Sequence, residues 1–484
     1  MSLARIAHLG FISIAGLLAT GCQPGPFDQT LAELAQRDLG VLHTSDARLL
    51  DRAVLESPAP MDTGDDVGDL IDVDAFVEIA LERNPTILAA QHRVRRLNER
   101  IVQATSLEDP VFGVTPIGEM AETAAGQVQV QTSISQRFPF PGKLKTRGRV
   151  AAQDVAIAEQ ELARTRLSVV ADTRRAYWSV YYAVRAIEVT QSNRDLLSQL
   201  LEVAQAKYRT GTATQESVLR ASVELNNLDN ELITLEQRRA TAVGMLNMLI
   251  DRPVTATIAD LPAVDLGAFE SRLDDLLRTA AMVNPVIKAL RERITRFREQ
   301  RALARLNRRP DVTVGMSYNL VNNDGLSGVA NGDNQWAVGF RFNVPIWLNR
   351  LAAAEREATR GVLESAGMLA GAQNRVAFEV QDAFVRADTQ RRQSVLLRDV
   401  IVPEARQTVE ASLSGYRAGD VDFLTLIDNW RKLLDFQLMY QSSLSELEKS
   451  FADLQLAVGR DLPRTLDAHN FGASGDDAKA EDNQ

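Results

Sequence analysis

From Gln127 to Phe138 apolar and polar positions alternate: Val128, Val130, Thr132, Ile134 and Phe138 fall on one face, and Gln127, Gln129, Gln131, Ser133, Ser135 and Arg137 on the other. A period of two over that length predicts a strand with one apolar and one polar face. The same alternation recurs over 311–320 and 335–344, and more weakly over 111–118, where Pro116 interrupts it. Elsewhere the period is helical. Residues 73–108 read as one helix stopped by Pro110, and 149–210 run for 62 residues without glycine or proline, enough for a helix of about 93 Å. A second long helix is expected over 349–416 with a kink at Pro403, and glycine-bearing turns at Gly211 and Gly419 reverse the chain into helices 215–250 and 421–459. Helices 73–108 and 215–250, stacked end to end, match the long helix between them in length.

These elements come in two sets. Asn84-Pro85-Thr86-Ile87 recurs as Asn284-Pro285-Val286-Ile287, and Pro110-Val111-Phe112-Gly113-Val114 as Pro310-Asp311-Val312-Thr313-Val314, each displaced by 200 residues. Phe138-Pro139 matches Val344-Pro345, and Tyr208-Arg209-Thr210-Gly211 matches Tyr416-Arg417-Ala418-Gly419, at displacements of 206 and 208. Four landmarks in the same order define a tandem duplication over 73–262 and 267–463, with the join at Asp260-Leu261-Pro262. Strands of this length and pattern suit the wall of a transmembrane β-barrel, with lipid outside and water inside. Four strands cannot close one, so several protomers must share it: three would supply twelve strands and two would supply eight. The alternative is a soluble sheet half buried against the helices.

Composition narrows the chemistry. With one cysteine and four histidines in 484 residues, an intrachain disulfide is excluded and no metal-ligand spacing is present. The 28 glycines and 16 prolines are few, in keeping with long regular elements. The net charge of −10 belongs to the ends: residues 23–75 carry twelve acids against three bases and residues 474–484 four acids against one lysine, which leaves the body within one charge of neutral. No clustered basic face points to nucleic acid. Phosphate-loop, nucleophile-elbow and His-Glu-x-x-His motifs are all missing, so no catalytic constellation is expected; carboxylates along the helices read as solvated faces.

At the start of the chain Arg5 precedes an apolar run, Leu9 to Ala19, followed by Ala19-Thr20-Gly21-Cys22, the layout of a secretory signal too short to span a bilayer. No later stretch is long and apolar enough for a transmembrane helix. Ala19-Thr20-Gly21-Cys22 resembles a bacterial lipobox, although Ala19 stands where leucine is commoner. That resemblance implies cleavage before Cys22 and a covalent lipid on it, the one prosthetic group expected, and Gln23 in place of aspartate implies the outer membrane. An ordinary signal with a coincidental cysteine is the alternative. Residues 22–72 then form a lipid-anchored strap, and 464–484 an acidic tail expected to be disordered.

The order of lipobox, duplicated helix-strand-strand-helix halves, Asn-Pro pairs, Phe138-Pro139-Phe140-Pro141-Gly142-Lys143-Leu144 and Tyr-Arg-x-Gly turns resembles the outer-membrane efflux family typified by TolC, over nearly all of 73–463. The resemblance implies a mostly α fold with a transmembrane β portion. In that fold a homotrimer shares a twelve-stranded barrel in the outer membrane, continued by a helical duct on the order of 100 Å in the periplasm. It implies passive export, with a periplasmic adaptor and an inner-membrane pump as partners. The Phe-Pro-Gly-Lys-Leu stretch looks most like members serving heavy-metal pumps of the resistance-nodulation-division type. A multidrug or type I secretion partner is the alternative, and a periplasmic adaptor or structural coiled-coil lipoprotein, which would lack the strands, is the rival from another class.

By the same resemblance, Tyr208, Arg209, Gly211, Tyr416, Arg417 and Gly419 mark periplasmic tips where an adaptor docks. The alternative is that the glycines serve the turns and the tyrosines pack between helices. Asp428 sits nine residues past Gly419, where the family tends to place an aspartate at the closed entrance; repeated by symmetry, it would form a ring that attracts cations. Asp420 and Asp422 either join that ring or simply suit the N-terminus of the following helix, with Asp420 as its cap. Trp336 and Trp347 mark a membrane interface or pack against a neighbouring strand.

Overall fold

The computed structural model describes residues 72–118, 122, 123, 125–259, 261, 272–323 and 332–462. The expected signal, Cys22, nearly all of the strap and the acidic tail lie outside them. Within them each half carries two short helices, a strand pair, a long helix and a returning helix. In the first half these are α1 (Val73–Arg83), α2 (Pro85–Thr105), β1 (Val111–Pro116), the two-residue β2 (Glu122–Thr123), β3 (Gly126–Phe138), α3 (Lys143–Arg209) and α4 (Gln215–Leu249). The second half has α5 (Leu273–Val283), α6 (Pro285–Leu306), β4 (Val312–Val321), β5 (Gln335–Phe342), α7 (Leu348–Leu396), a π-helical turn (Leu397–Ile401), α8 (Val402–Ala418) and α9 (Phe423–Val458).

The helix expected over 73–108 is two helices. Proline bars the residue before it from the helical region, so Asn84 leaves the helix at φ −59°, ψ 120° and Pro85 begins the next one. The same break occurs at Asn284, with φ −57°, ψ 125°. Each asparagine does two jobs there. Asn84 Oδ1 accepts from the Thr86 amide at 2.9 Å while its Nδ2 donates to the Leu249 carbonyl at 2.9 Å, and Asn284 serves Val286 and Ala457 in the same way at 2.9 and 2.8 Å. The Asn-Pro pair therefore caps one helix and ties it to the far end of the same half.

The long helix α3 has 67 residues, about 100 Å of rise. Arg93 of α2 pairs with its Glu161 at 2.8 Å, and its Arg194 pairs with Asp229 of α4 at 2.6 Å, so the two shorter helices follow one another along it. In the second half the long element changes its hydrogen-bond pattern just before Pro403. Pro403 lacks the amide that would bond back to residue 399, and the turn just before it widens to π geometry. Duplication also shows in the cores: Phe76, Ala80 and Ile87 are buried in one cluster with Trp178 and Leu246, while Leu276, Ala280 and Ile287, each 200 residues on, are buried in another with Val380 and Leu454.

The sheet runs β1-β3-β4-β5, all antiparallel, with β2 paired to the start of β3. Pro116 ends the edge strand β1, the place where a missing amide costs least. β5 stops at Phe342, before the Val344 expected to close it. The two halves meet between β3 and β4, and one ionic knot fastens that seam to the helices. Lys143, first residue of α3, and Asp311, just before β4, are 3% and 4% exposed and meet at 2.6 Å. Lys143 Nζ also donates to the Arg309 carbonyl at 2.8 Å, and Asp311 accepts from the Phe140 amide at 2.9 Å and from Arg137 at 2.7 Å. The Asp311 amide in turn donates to Asn343 Oδ1.

Burial alone would push the Asp311 carboxyl up, but the hydrogen bonds from Lys143, Phe140 and Arg137 outweigh it and hold the pKa at about 2. The folded value lies below the unfolded one. The knot's contribution is therefore complete above the ordinary carboxylate pKa of about 4 and is lost as pH falls through about 2.

Replacing one partner strands a buried charge, so Lys143→Met or Asp311→Asn should each cost about 3–5 kcal/mol in urea unfolding, whereas Lys143→Met with Asp311→Leu should recover much of the loss. Wild-type stability should drop between about pH 4 and pH 2, and Asp311→Asn should flatten that part of the profile. Asn84→Ala and Asn284→Ala should each lower the unfolding free energy by about 1–2 kcal/mol, measured by the same titration.

Candidate functional site

Antiparallel register stacks the apolar positions of the four strands into rows. Phe112, Ile134, Met316 and Val338 form one; Val114, Thr132, Tyr318 and Trp336 the next; Val314 and Phe340 lie beside Gln136, and Phe138, Val312 and Phe342 close the face toward the helices. None of the described residues covers this face: Phe112 is 68% and Trp336 69% exposed. A contiguous uncovered apolar surface of this kind marks an interaction with lipid or protein. The opposite face carries Gly113, Ser133, Ser317 and Ala337 in one row and Thr115, Gln131, Asn319 and Gln335 in another. The sheet thus has one face for an apolar medium and one for water, as a barrel wall does. No described helix is long and apolar enough to cross a membrane.

At the other end of the long helices lie the two turns. In the first, Tyr208 and Arg209 are exposed, Gly211 adopts φ +74°, and the Thr212 amide donates to the Lys207 carbonyl at 2.8 Å. In the second, Gly419 adopts φ +96°, a left-handed value that admits glycine without a Cβ penalty, and the amides of Gly419 and Asp420 both donate to Gly415 O at 2.9 Å. The tyrosines differ. Tyr416 is buried, with Lys207 Nζ 4.7 Å from its ring centre and the Phe423 ring 5.4 Å away, and Lys207 donates to its carbonyl. Arg417 is exposed beside it. Of the tip residues expected to meet an adaptor, Tyr208, Arg209 and Arg417 expose their side chains, while Tyr416 holds the second tip against α3.

The three aspartates also separate. Asp422 is the N-cap of α9, accepting from the Thr425 amide at 3.1 Å, and the Thr425 hydrogen bonds hold its carboxyl below the ordinary value. Asp420 is exposed in the turn. Asp428 is 52% exposed on α9, 3.7 Å from Arg431, which also pairs with Glu224 of α4. Arg431 and Glu224, which join the two hairpins near Asp428, carry no local motif. Lys143 stood inside the Phe-Pro-Gly-Lys-Leu stretch, but its partner is 168 residues away. Among the described residues no group of three His, Cys, Asp or Glu is placed to hold a metal ion.

Comparison with known proteins agrees with this layout. The cobalt-zinc-cadmium resistance protein CzcC of Cupriavidus metallidurans is 21% identical over 393 residues, 80% of this chain and 90% of that protein. Nodulation protein T of Rhizobium leguminosarum bv. trifolii is 22% identical over 410 residues, 80% of this chain and 85% of that protein. The crystal structure of the outer membrane protein VceC from Vibrio cholerae shares the fold with a TM-score of 0.67 at 20% identity, covering 80% of this chain and 96% of that one. The description "Outer membrane efflux protein" matches two segments, residues 76–250 and 276–460, one in each half of the duplication. With a lipid-type sheet at one end and paired hairpins at the other in each of those halves, the chain belongs to the outer membrane efflux protein family, whose members are channels of the outer membrane and not enzymes.

Proposed function

We propose that three copies of this chain close a twelve-stranded barrel and continue it as a helical duct, the exit channel of a tripartite system that exports heavy-metal cations. A periplasmic adaptor engages the tips at Tyr208, Arg209 and Arg417, and an inner-membrane pump of the resistance-nodulation-division type supplies the energy. The observation that carries the duct is the uncovered apolar face set at one end of helices about 100 Å long. For metal cations the support is the likeness to a cobalt-zinc-cadmium resistance protein over 90% of that protein's length. In this reading Cys22 bears the lipid anchor.

Asp428 is the acid of the entrance. Asp422 is committed to its cap, and Asp428 keeps a solvent-facing carboxylate beside Arg431. Threefold repetition of that carboxylate attracts cations and repels anions at a constriction.

In planar bilayers the reconstituted wild type should favour cations, and Asp428→Ala should raise anion permeability several-fold; an unchanged reversal potential would remove Asp428 from the entrance. Deleting the gene in its own organism should raise sensitivity to divalent heavy metals and leave tolerance of hydrophobic drugs unaltered, and the opposite pattern would assign a drug pump as partner. Metabolic labelling with palmitate should mark the wild type and not Cys22→Ala.

A further inference from the structure

The near-neutral body does not spread its charge evenly. Four helix ends adjoin the sheet: the C-termini of α2 and α6 and the N-termini of α3 and α7. Some of the cations there are matched, Arg149 by Glu299 at 2.8 Å, and Arg305 and Arg308 by Glu355 at 2.7 and 2.9 Å. Lys145, Arg298, Arg309, Arg350 and Arg356 are exposed and have no ion-pair partner among the described residues. Glu99, Asp109 and Glu357 are the exposed acids of these ends without an ion-pair partner among the described residues, fewer than the cations, so a surplus of positive charge lies directly below the apolar rows of the sheet.

Two of these cations are set beside apolar groups at the edge of the last row, Phe138, Val312 and Phe342. The Arg309 guanidinium lies 5.9 Å from the centre of the Phe140 ring. Arg350 borders an open groove lined by Ile346, Trp347 and Leu348, all three exposed. The duplication bears on whether a neighbouring copy fills that groove. Trp347 and Leu348 correspond, at the displacement of 206, to Pro141 and Gly142, which stay exposed although the other half is packed on their junction. If copies meet by a seam of the same kind, Trp347 and Leu348 stay uncovered too.

We propose that this collar binds the phosphate headgroups of anionic glycerophospholipids in the leaflet that faces the helical duct, with Arg309 and Arg350 as its principal contacts. The proposal rests on the reading that the sheet spans a membrane. Indole rings favour the headgroup level, and arginine stems lie along apolar surface while the guanidinium reaches phosphate. Each cation near an anionic surface contributes about fivefold in partitioning. The charge has a second consequence: it holds the barrel at a fixed depth, with the last apolar row in hydrocarbon and the helix ends in water.

The test reconstitutes the full-length protein into nanodiscs of equal phosphatidylglycerol and phosphatidylcholine, and native mass spectrometry of the released trimer counts the lipids retained. Wild type should retain phosphatidylglycerol well above its share, Arg309→Gln with Arg350→Gln should lower that enrichment at least fivefold, and Arg309→Lys with Arg350→Lys should keep it. Heat-modifiable migration of each variant reports insertion separately. Equal retention of the two lipids by wild type, or undiminished enrichment in the glutamine variant, overturns the proposal while leaving the channel intact. Loss of trimer in the glutamine variant and not in the lysine variant also overturns it, by assigning the cations to the contact between copies. Failure of wild type to insert overturns the membrane reading together with the collar.

Discussion

A strand in hydrocarbon must find a partner for every backbone amide and carbonyl, because no water is there to substitute and each unmatched group costs several kcal/mol. In this chain β3 and β4 are paired on both sides, but β1 and β5 are edges. A single copy with its apolar rows in lipid would carry two open edges. That constraint makes the protomer an incomplete object, and the duplication supplies the way to complete it. Within the chain, the second strand of one half pairs with the first strand of the other, as β3 does with β4. Repeated between copies, the same rule pairs β5 with the β1 of a neighbour, and the ring of halves closes without a new kind of contact.

The seams nevertheless differ in chemistry. Inside the chain the strand-to-helix junction is tied by Lys143 and Asp311, both buried. At the matching positions of the second junction the duplication places Asn349 and Val111, which carry no charge. This division suits the order of events. A buried ion pair is stabilising only when both partners and their hydrogen bonds are in place, and a protomer awaiting assembly would have to hold each partner unpaired. The ionic knot belongs to the seam that forms as one chain folds, and Asn349 and Val111 cannot repeat it between copies. Lipid-facing rows above the knot, and the helices below it, are aligned through that one point.

Much of the architecture was legible in the order of residues. Alternation over 127–138 and 311–320 marked the strands because a sheet exposed to lipid on one face and water on the other keeps a strict period of two. The scarcity of glycine and proline between Gly148 and Gly211 marked the long helix, which in fact begins earlier, at Lys143. The break at Asn84 escaped the periodicity because helical spacing resumes at once on the far side of Pro85; the Asn-Pro repeat was visible, but its reach to Leu249 was not. Long-range pairs such as Lys143 with Asp311 leave no local trace. The two tips illustrate the limit for the site: their Tyr-Arg-x-Gly patterns are alike, yet Tyr208 is exposed and Tyr416 is packed, because only the second meets Lys207 and Phe423. Asp420 stands where it would cap a helix starting at 421, but the helix starts two residues later, at Phe423, and Asp422 caps it; the neighbourhood of Asp428 depends on Arg431 bridging to another hairpin.

The shared barrel is the claim on which the duct depends, and its register follows from the duplication. Ser135 faces Gly315 in the seam within the chain, so at displacements of 206 and 200 Arg341 of one copy should face Thr115 of the next. Disulfide trapping with Thr115→Cys and Arg341→Cys in membranes, read on a denaturing gel without reductant, tests that pairing directly. A covalent trimer that collapses to monomer on reduction, with neither single variant cross-linking, is the predicted result; monomer alone from the double variant, in membranes where the protein is inserted, would contradict it.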